Sequence, residues 1–169
     1  MAPVFGIAGF KNAGKTTLTV RLVEELTSRG LKISTVKHAH HAFDIDHPGR
    51  DSFRHREAGA HEVAIVSRNR WALVHELRDE TEPSLDDILK HLGACDLVLT
   101  EGYKNEPHPK IEVRRPHLGH RDLAGNDPTI VAIACSEPLD PAPVPVFDFD
   151  DTAAIADFVL THTGLRKVT

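Results

Sequence analysis

Apolar and polar residues alternate along this chain in blocks whose period switches between strand-like and helix-like. Val4-Phe5-Gly6-Ile7-Ala8 is a short, continuously apolar run, the pattern of a strand buried on both faces. Over residues 17–29 the spacing changes. Leu18, Leu22, Val23 and Leu26 fall on one face of a helix and Arg21, Glu24, Glu25 and Arg29 on the other, and Gly30 is the expected stop. Residues 32–37 alternate like a second strand. A polar, histidine-rich stretch follows to Arg50, with a turn signal at Pro48-Gly49. Asp51-Ser52 is placed to cap a short helix ending at Gly59. Residues 62–67 and 70–77 read as strands joined by a tight turn at Arg68-Asn69.

Pro83-Ser84 opens another helix carrying Leu85, Ile88, Leu89 and Leu92, stopped by Gly93. Residues 96–100 form a buried apolar run that ends in Glu101-Gly102. Residues 110–114 alternate, 116–128 read as an irregular loop, and 129–134 as another buried strand. A proline-rich connection leads to a last strand at 146–149, and Asp150-Asp151-Thr152 caps a terminal helix over 153–162. Strands with apolar interiors alternating with helices predict an α/β fold built on a mostly parallel sheet, with the 70–77 strand as an antiparallel addition. At 169 residues the chain is read as a single domain, 1–169.

Composition changes this picture little. Hydrophobic residues are 40% and charged residues 27%, and the net charge of -5 argues against a nucleic-acid partner. No apolar stretch approaches the 18 residues of a membrane span, and no basic-then-apolar leader opens the chain, so a cytoplasmic protein with no membrane partner is expected. Cys95 and Cys135 lie in apolar runs and read as small buried hydrophobes.

The chemistry is concentrated after the first strand. Gly9-Phe10-Lys11-Asn12-Ala13-Gly14-Lys15-Thr16 spells G-x-x-x-x-G-K-[ST] between a predicted strand and a predicted helix, the context in which this pattern forms a phosphate-binding loop. Gly9 and Gly14 let the backbone curl so that N–H groups converge on an anion, and the helix N-terminus adds its unpaired donors. Asn12, Ala13, Gly14, Lys15, Thr16 and Thr17 are the candidate phosphate-binding residues with Gly9. Lys15 serves the β- and γ-phosphates, and the Thr16 hydroxyl serves Mg²⁺.

Such a loop needs a carboxylate near it. Glu101 ends its buried strand and Asp96 begins it, and ligands of open α/β sheets lie beyond the carboxyl ends of strands, which selects Glu101. The histidine-rich stretch, with His38, His40, His41 and His47 among Asp44 and Asp46, matches no repeated-pair zinc spacing. It reads as a loop that covers the triphosphate, with Asp46 a water-mediated Mg²⁺ contact. Lys37, Arg50, Arg54, Arg56, Lys104, Lys110, Arg114 and Arg115 are candidates for one basic edge that receives a second phosphorylated molecule.

Taken together, the residues 35–52 run (Thr-Val-Lys-His-Ala-His-His, then Phe-Asp-Ile-Asp-His-Pro-Gly-Arg-Asp-Ser), Arg56-Glu57-Ala58-Gly59-Ala60, the loop at 9–17 and the 96–104 segment resemble the molybdopterin-guanine dinucleotide biosynthesis adaptor family, MobB. The resemblance implies a three-layer P-loop NTPase fold, GTP and Mg²⁺ as cofactors, weak GTPase activity in a mainly accessory protein, and a homodimer. It also implies a role beside the guanylyltransferase of molybdenum cofactor synthesis, with molybdopterin and molybdoenzyme chaperones as further candidate partners. Carried onto this sequence, Lys15 and Glu101 take the catalytic roles. The Asn/Thr-Lys-x-Asp motif with which many GTPases read guanine is absent, so the preference for GTP rests on the resemblance. A metallochaperone GTPase using the histidines, a small-molecule kinase and a non-hydrolysing binding module are the competing readings.

Overall fold

A computed structural model describes residues 1–39, 43–119 and 121–165. The chain divides into two compact units, Met1–His38 with Leu92–Thr169, and Ala39–His91. In chain order the elements are β1 (Val4–Ala8), α1 (Lys15–Ser28), β2 (Ile33–Lys37), α2 (Asp51–Glu57), β3 (Glu62–Val66), β4 (Trp71–His75) and α3 (Leu85–His91). Then come β5 (Leu97–Glu101), β6 (Lys110–Arg114), a 3-10 turn (Pro116–Leu118), β7 (Ile130–Cys135), β8 (Val146–Asp148) and α4 (Thr152–His162).

The first unit is a six-stranded sheet in the order β2-β5-β1-β6-β7-β8, and every pairing in it is parallel. Strand alternation splits its apolar residues between two faces. Phe5, Ile7, Leu97, Leu99, Ile111 and Val113 share the larger core with Leu18, Leu22 and Leu26 of α1 and Ile155, Val159 and Leu160 of α4. Ala8, Ile130, Ile133 and Cys135 face the other way, against Ala124. The apolar runs read from the sequence are therefore the buried strands of a parallel sheet, as their two-sided burial requires. Cys135 is buried and Cys95 half-buried, and both are free thiols.

The second unit carries β3 and β4 as an antiparallel pair with Val66 opposite Trp71 and Glu62 opposite His75. The expected antiparallel addition is thus present, as a two-stranded sheet of its own.

Helix starts follow the sequence in two cases and depart from it in one. Ser84 Oγ accepts the Asp87 N–H at 3.2 Å, and Asp151 Oδ1 accepts the Ala154 N–H at 3.0 Å, each satisfying a donor that the helix leaves open. The cap expected at Asp51-Ser52 is not formed. The residue before α2 is Arg50, with no side-chain cap, and Ser52, inside the helix, donates its hydroxyl to Asp46 Oδ1 at 2.9 Å. Asp96 holds the sheet at its amino edge: its backbone N–H donates to Lys32 O at 2.8 Å, and its Oδ2 accepts the Lys32 N–H at 2.6 Å.

Gly6, in the middle of β1, is a position of close approach. A Cβ there would lie 2.6 Å from Lys110 Cγ and 2.8 Å from His108 Nε2. The space belongs to a buried polar group. The Lys110 ammonium donates to the carbonyls of Glu106 and His108 and to Thr129 Oγ1, and His108 Nε2 meets Thr100 Oγ1 at 2.8 Å. Burial drives the His108 pKa down to about 4, with Lys110 adding to the effect. A neutral imidazole fits where a second cation would face Lys110. Gly6→Val is expected to destabilise the fold by about 2 kcal/mol or more through overpacking against these two side chains. A urea midpoint equal to that of the unsubstituted chain would refute this packing account.

Candidate functional site

The loop between β1 and α1 is built around backbone conformations that most residues avoid. Gly9 has φ 145°, Asn12 φ 64° and Gly14 φ 104°. Side chains at the two glycines would be strained by those angles alone. A Cβ on Gly9 would also lie 2.7 Å from Val113 O, and one on Gly14 would lie 3.1 Å from the Phe149 ring. The Phe10 carbonyl accepts both the Ala13 N–H at 3.2 Å and the Lys15 ammonium at 2.8 Å, so the lysine spans the loop it follows. The first bond of α1 runs from the Leu18 N–H to Gly14 O at 3.0 Å. Lys15, Thr16 and Thr17 therefore sit in the first turn, whose N–H groups have no acceptor inside the helix. Curled glycine backbone, open helix donors and an adjacent ammonium are groups that can receive a phosphate chain.

Sheet register brings the carboxylate to this loop. Glu101 is paired with Ile7 on one side and with Lys37 on the other, which places it at the carboxyl edge, two residues short of Gly9. Thr16 Oγ1 donates to Glu101 Oε1 at 2.9 Å, and Lys37 Nζ lies 3.3 Å from the same oxygen. Glu101 is only 8% exposed. A buried carboxylate oxygen beside a threonine hydroxyl is an oxygen donor pair of the kind a hard divalent cation takes, so the residues present fit Mg²⁺. Burial lowers the pKa of Lys15, Lys37 lowers it further, and Glu101 opposes both.

Sequence reasoning passed over the groups that hold the loop from outside. Arg115 Nε donates to Ala13 O at 3.2 Å, and its guanidinium lies 4.0 Å from the centroid of the Phe149 ring. Arg21, on α1, approaches the same ring at 5.3 Å and pairs with Asp150 at 2.6 Å. The sequence shows Arg115 only as one of several cations and Phe149 only as the end of a strand. Their meeting depends on two chain segments far apart in sequence.

Glu112 was missed as well. It stands opposite Ala8 of β1. Its carboxylate accepts two bonds from Arg114, at 3.0 and 2.6 Å, and the Ala124 N–H at 2.9 Å. The available signal was an acidic residue inside an otherwise apolar strand, two places before an arginine. Glu112→Ala is expected to cost about 3 kcal/mol, since it leaves a half-buried guanidinium short of a partner and a buried N–H without an acceptor. Chemical denaturation checks this, and a loss within about 0.5 kcal/mol would count against it.

Three of the cations assigned to a basic edge are engaged by neighbouring groups. Lys110 begins β6, at the opposite end of its strand from the loop, and is fully buried. Arg114 is engaged by Glu112 and Asp122. Arg56 is engaged by Asp44 at 3.0 Å and Glu76 at 2.6 Å. Carboxylates take the two arginines, and backbone carbonyls with the Thr129 hydroxyl hold Lys110.

Asp46 belongs to the second unit. It is 8% exposed, and its Oδ1 accepts the His47 N–H at 3.0 Å and the Ser52 hydroxyl at 2.9 Å. Its Oδ2 lies 3.4 Å from Arg56 Nε, and both atoms are buried without a hydrogen-bond partner among the described residues. His38 packs against Tyr103 with ring centroids 5.2 Å apart. His40 and His41 lie outside the described residues.

Residues 4–136 match the family model described as "Molybdopterin guanine dinucleotide synthesis protein B". This chain belongs to the MobB family. Among curated MobB relatives, the molybdopterin-guanine dinucleotide biosynthesis adapter protein of Escherichia coli K12 is 37% identical, over 95% of this chain and 93% of that one. The adapter protein of the same name in Haemophilus influenzae is 36% identical, over 93% of this chain and 87% of its own length. MobB folds have also been solved. A crystal structure of molybdopterin-guanine biosynthesis protein B superposes with a TM-score of 0.74 at 28% identity, covering 95% of this chain and 99% of that one. MobB of Bacillus subtilis superposes with a TM-score of 0.72 at 26% identity, covering 94% and 96%. The MobB-like run at residues 35–52 and the parallel sheet thus lead to the same family.

Proposed function

We propose that this chain is a Mg²⁺-dependent GTP-binding adapter in molybdopterin-guanine dinucleotide biosynthesis, working in the cytoplasm beside the guanylyltransferase, with weak GTPase activity. The observation that carries the nucleotide reading is the join between loop and sheet: Lys15 folded across Gly9–Thr16, and Thr16 bonded to the buried Glu101. The 36–37% identical relatives are adapter proteins of this pathway, which supports the adapter reading. Gly9, Asn12, Ala13, Gly14, Lys15, Thr16 and Thr17 hold the phosphates, and Thr16 and Glu101 hold Mg²⁺, directly or through water. Mg²⁺, when bound, supplies positive charge that neutralises the phosphate oxygens. The chain's own part is positioning: the fixed N–H donors and the Lys15 ammonium take up charge without reorganising.

A homodimer belongs to the same proposal, along with molybdopterin and molybdoenzyme chaperones as further partners. Its support is the exposed face of the β3–β4 pair. There Ala64 and Val66 lie beside Leu73 and Trp71, with Val66 76% and Trp71 68% exposed. An apolar strip of this kind is ordinarily covered by another surface. Sedimentation should give a dimer that Trp71→Glu converts to monomer, and a monomeric unsubstituted chain would remove this part of the reading.

The adapter role is tested by capture from cell extract, with and without a non-hydrolysable GTP analogue. Recovery of a nucleotidyltransferase or a molybdoenzyme chaperone is the expected result. Recovery of a hydrogenase or urease component instead would favour a metallochaperone.

A further inference from the structure

The second unit contains a side-chain cluster that the nucleotide site does not use. His61 precedes β3, His75 ends β4, and Glu80 follows in the turn after it. One ligand atom from each lies within 4.8 Å of the other two. The backbone fixes all three. Glu76 N–H donates to His61 O at 3.0 Å and Glu80 N–H to Leu77 O. Arg78, at φ 44° between them, donates to the carbonyls of Arg56 and Ala60 at 3.3 and 3.2 Å.

Two of the three ligand separations have the length of a tetrahedron edge. Glu80 Oε1 lies 3.3 Å from His61 Nε2 and 3.3 Å from His75 Nε2, and Glu80 Oε2 lies 3.2 Å from His75 Nε2. These separations are long for a hydrogen bond between charged groups. They match the roughly 3.3 Å edge of a tetrahedron whose ligands stand about 2.0–2.1 Å from a central cation.

The partner on the far side of His75 completes the pattern. Glu62, directly opposite His75 in the ladder, takes the other ring nitrogen, with Nδ1 to Oε1 at 2.8 Å. A proton held at Nδ1 by a carboxylate leaves the Nε2 lone pair aimed at Glu80, and a cation between Nε2 and Glu80 satisfies both. Metal-bound histidines are oriented by a carboxylate in this way.

We propose that His61, His75 and Glu80 form a binding site for a divalent transition cation of the zinc type, with Glu62 as the carboxylate that orients His75. Two imidazoles and one carboxylate suit borderline cations and disfavour Mg²⁺, so the site is chemically distinct from the one at Thr16 and Glu101. Three protein ligands leave a fourth position for water. The ion would clip the start of β3, the end of β4 and the following turn together at one end of the hairpin.

The test uses the full chain without an affinity tag, stripped with chelator and titrated with Co²⁺ and then with Zn²⁺ in excess Mg²⁺. The expected result is one saturable equivalent, a tetrahedral Co²⁺ absorption spectrum and displacement of Co²⁺ by Zn²⁺. His61→Ala with His75→Ala, and separately the near-isosteric Glu80→Gln, should weaken binding by about 100-fold or more, and Glu62→Gln by about 10-fold. Circular dichroism and urea unfolding of these variants, compared with the unsubstituted chain, report that they are folded. A variant changed at His38, His40 and His41 should bind the metal as before. The proposal is overturned if the unsubstituted chain takes up no stoichiometric metal, if the His61/His75 and Glu80 variants bind it undiminished, or if the change at positions 38, 40 and 41 abolishes it.

Discussion

Lys15→Ala is expected to weaken Mg²⁺-GTP binding by about 100-fold or more while leaving the fold intact. Lys15 begins α1 and carries an ammonium that spans the loop, bonded to Phe10 O at 2.8 Å. Alanine keeps the helix and removes the cation. Charge-assisted hydrogen bonds are worth about 1.5–3 kcal/mol each, and two lost bonds to phosphate oxygens correspond to about 100-fold or more in affinity. The cost to stability should be small, because alanine is the best helix former and the amine makes a bond only to a loop carbonyl. Equilibrium titration with a non-hydrolysable GTP analogue, alongside a denaturation curve, separates the two effects. Unchanged affinity in a folded variant would refute the assignment of the loop.

Glu101→Gln is expected to act on turnover more than on affinity. Glutamine preserves the shape, the acceptor for the Thr16 hydroxyl and the burial, but removes the negative charge that the Thr16 hydroxyl and Lys37 share. Single-turnover hydrolysis should fall by about 100-fold, the scale on which loss of one electrostatic group acts, with GTP affinity reduced much less. The pH sensitivity of Lys15 has a definite sign. Its folded pKa is lowered, chiefly by burial, so the ammonium needed for the triphosphate is lost at a lower pH than an ordinary lysine would lose it. Affinity should therefore begin to fall on the alkaline side before pH 10.5, and Glu101→Gln, by removing the one opposing charge, should move that fall to lower pH still.

Much of this arrangement was legible in the chain because local pattern and global role coincide there. Continuous apolar runs mark strands buried on both faces, and residues 4–8, 97–101 and 130–135 became central strands of a parallel sheet. The phosphate loop was legible because the glycines at 9 and 14 have a backbone reason to be there. Glu101 followed from a rule about strand ends, and the register with Ile7 and Lys37 satisfies it.

What escaped notice is what depends on pairs distant in sequence. Arg115 on Ala13 O and over Phe149 joins the β6 exit, the loop and the β8 exit. No periodicity encodes that meeting. The counted cations misled for a related reason: proximity of charges along the chain says nothing of which carboxylates will take them. Arg56 and Arg114 pair with Glu76 and Glu112, and Lys110 is held by two carbonyls and a hydroxyl. The histidines drew attention to residues 38–47 because they are consecutive. The geometric cluster lies instead at His61, His75 and Glu80, brought together by a hairpin register and a tight turn.

The central claim, that the loop at Gly9–Thr16 with Glu101 is a Mg²⁺-dependent GTP site, is tested most directly by calorimetric titration of the purified chain. A non-hydrolysable GTP analogue is compared with its ATP counterpart, each with Mg²⁺ and with chelator. One GTP analogue per chain, tighter than the ATP counterpart and weakened when Mg²⁺ is withdrawn, is the result this account predicts. Absence of saturable triphosphate binding, or GTP binding indifferent to Mg²⁺, would contradict it.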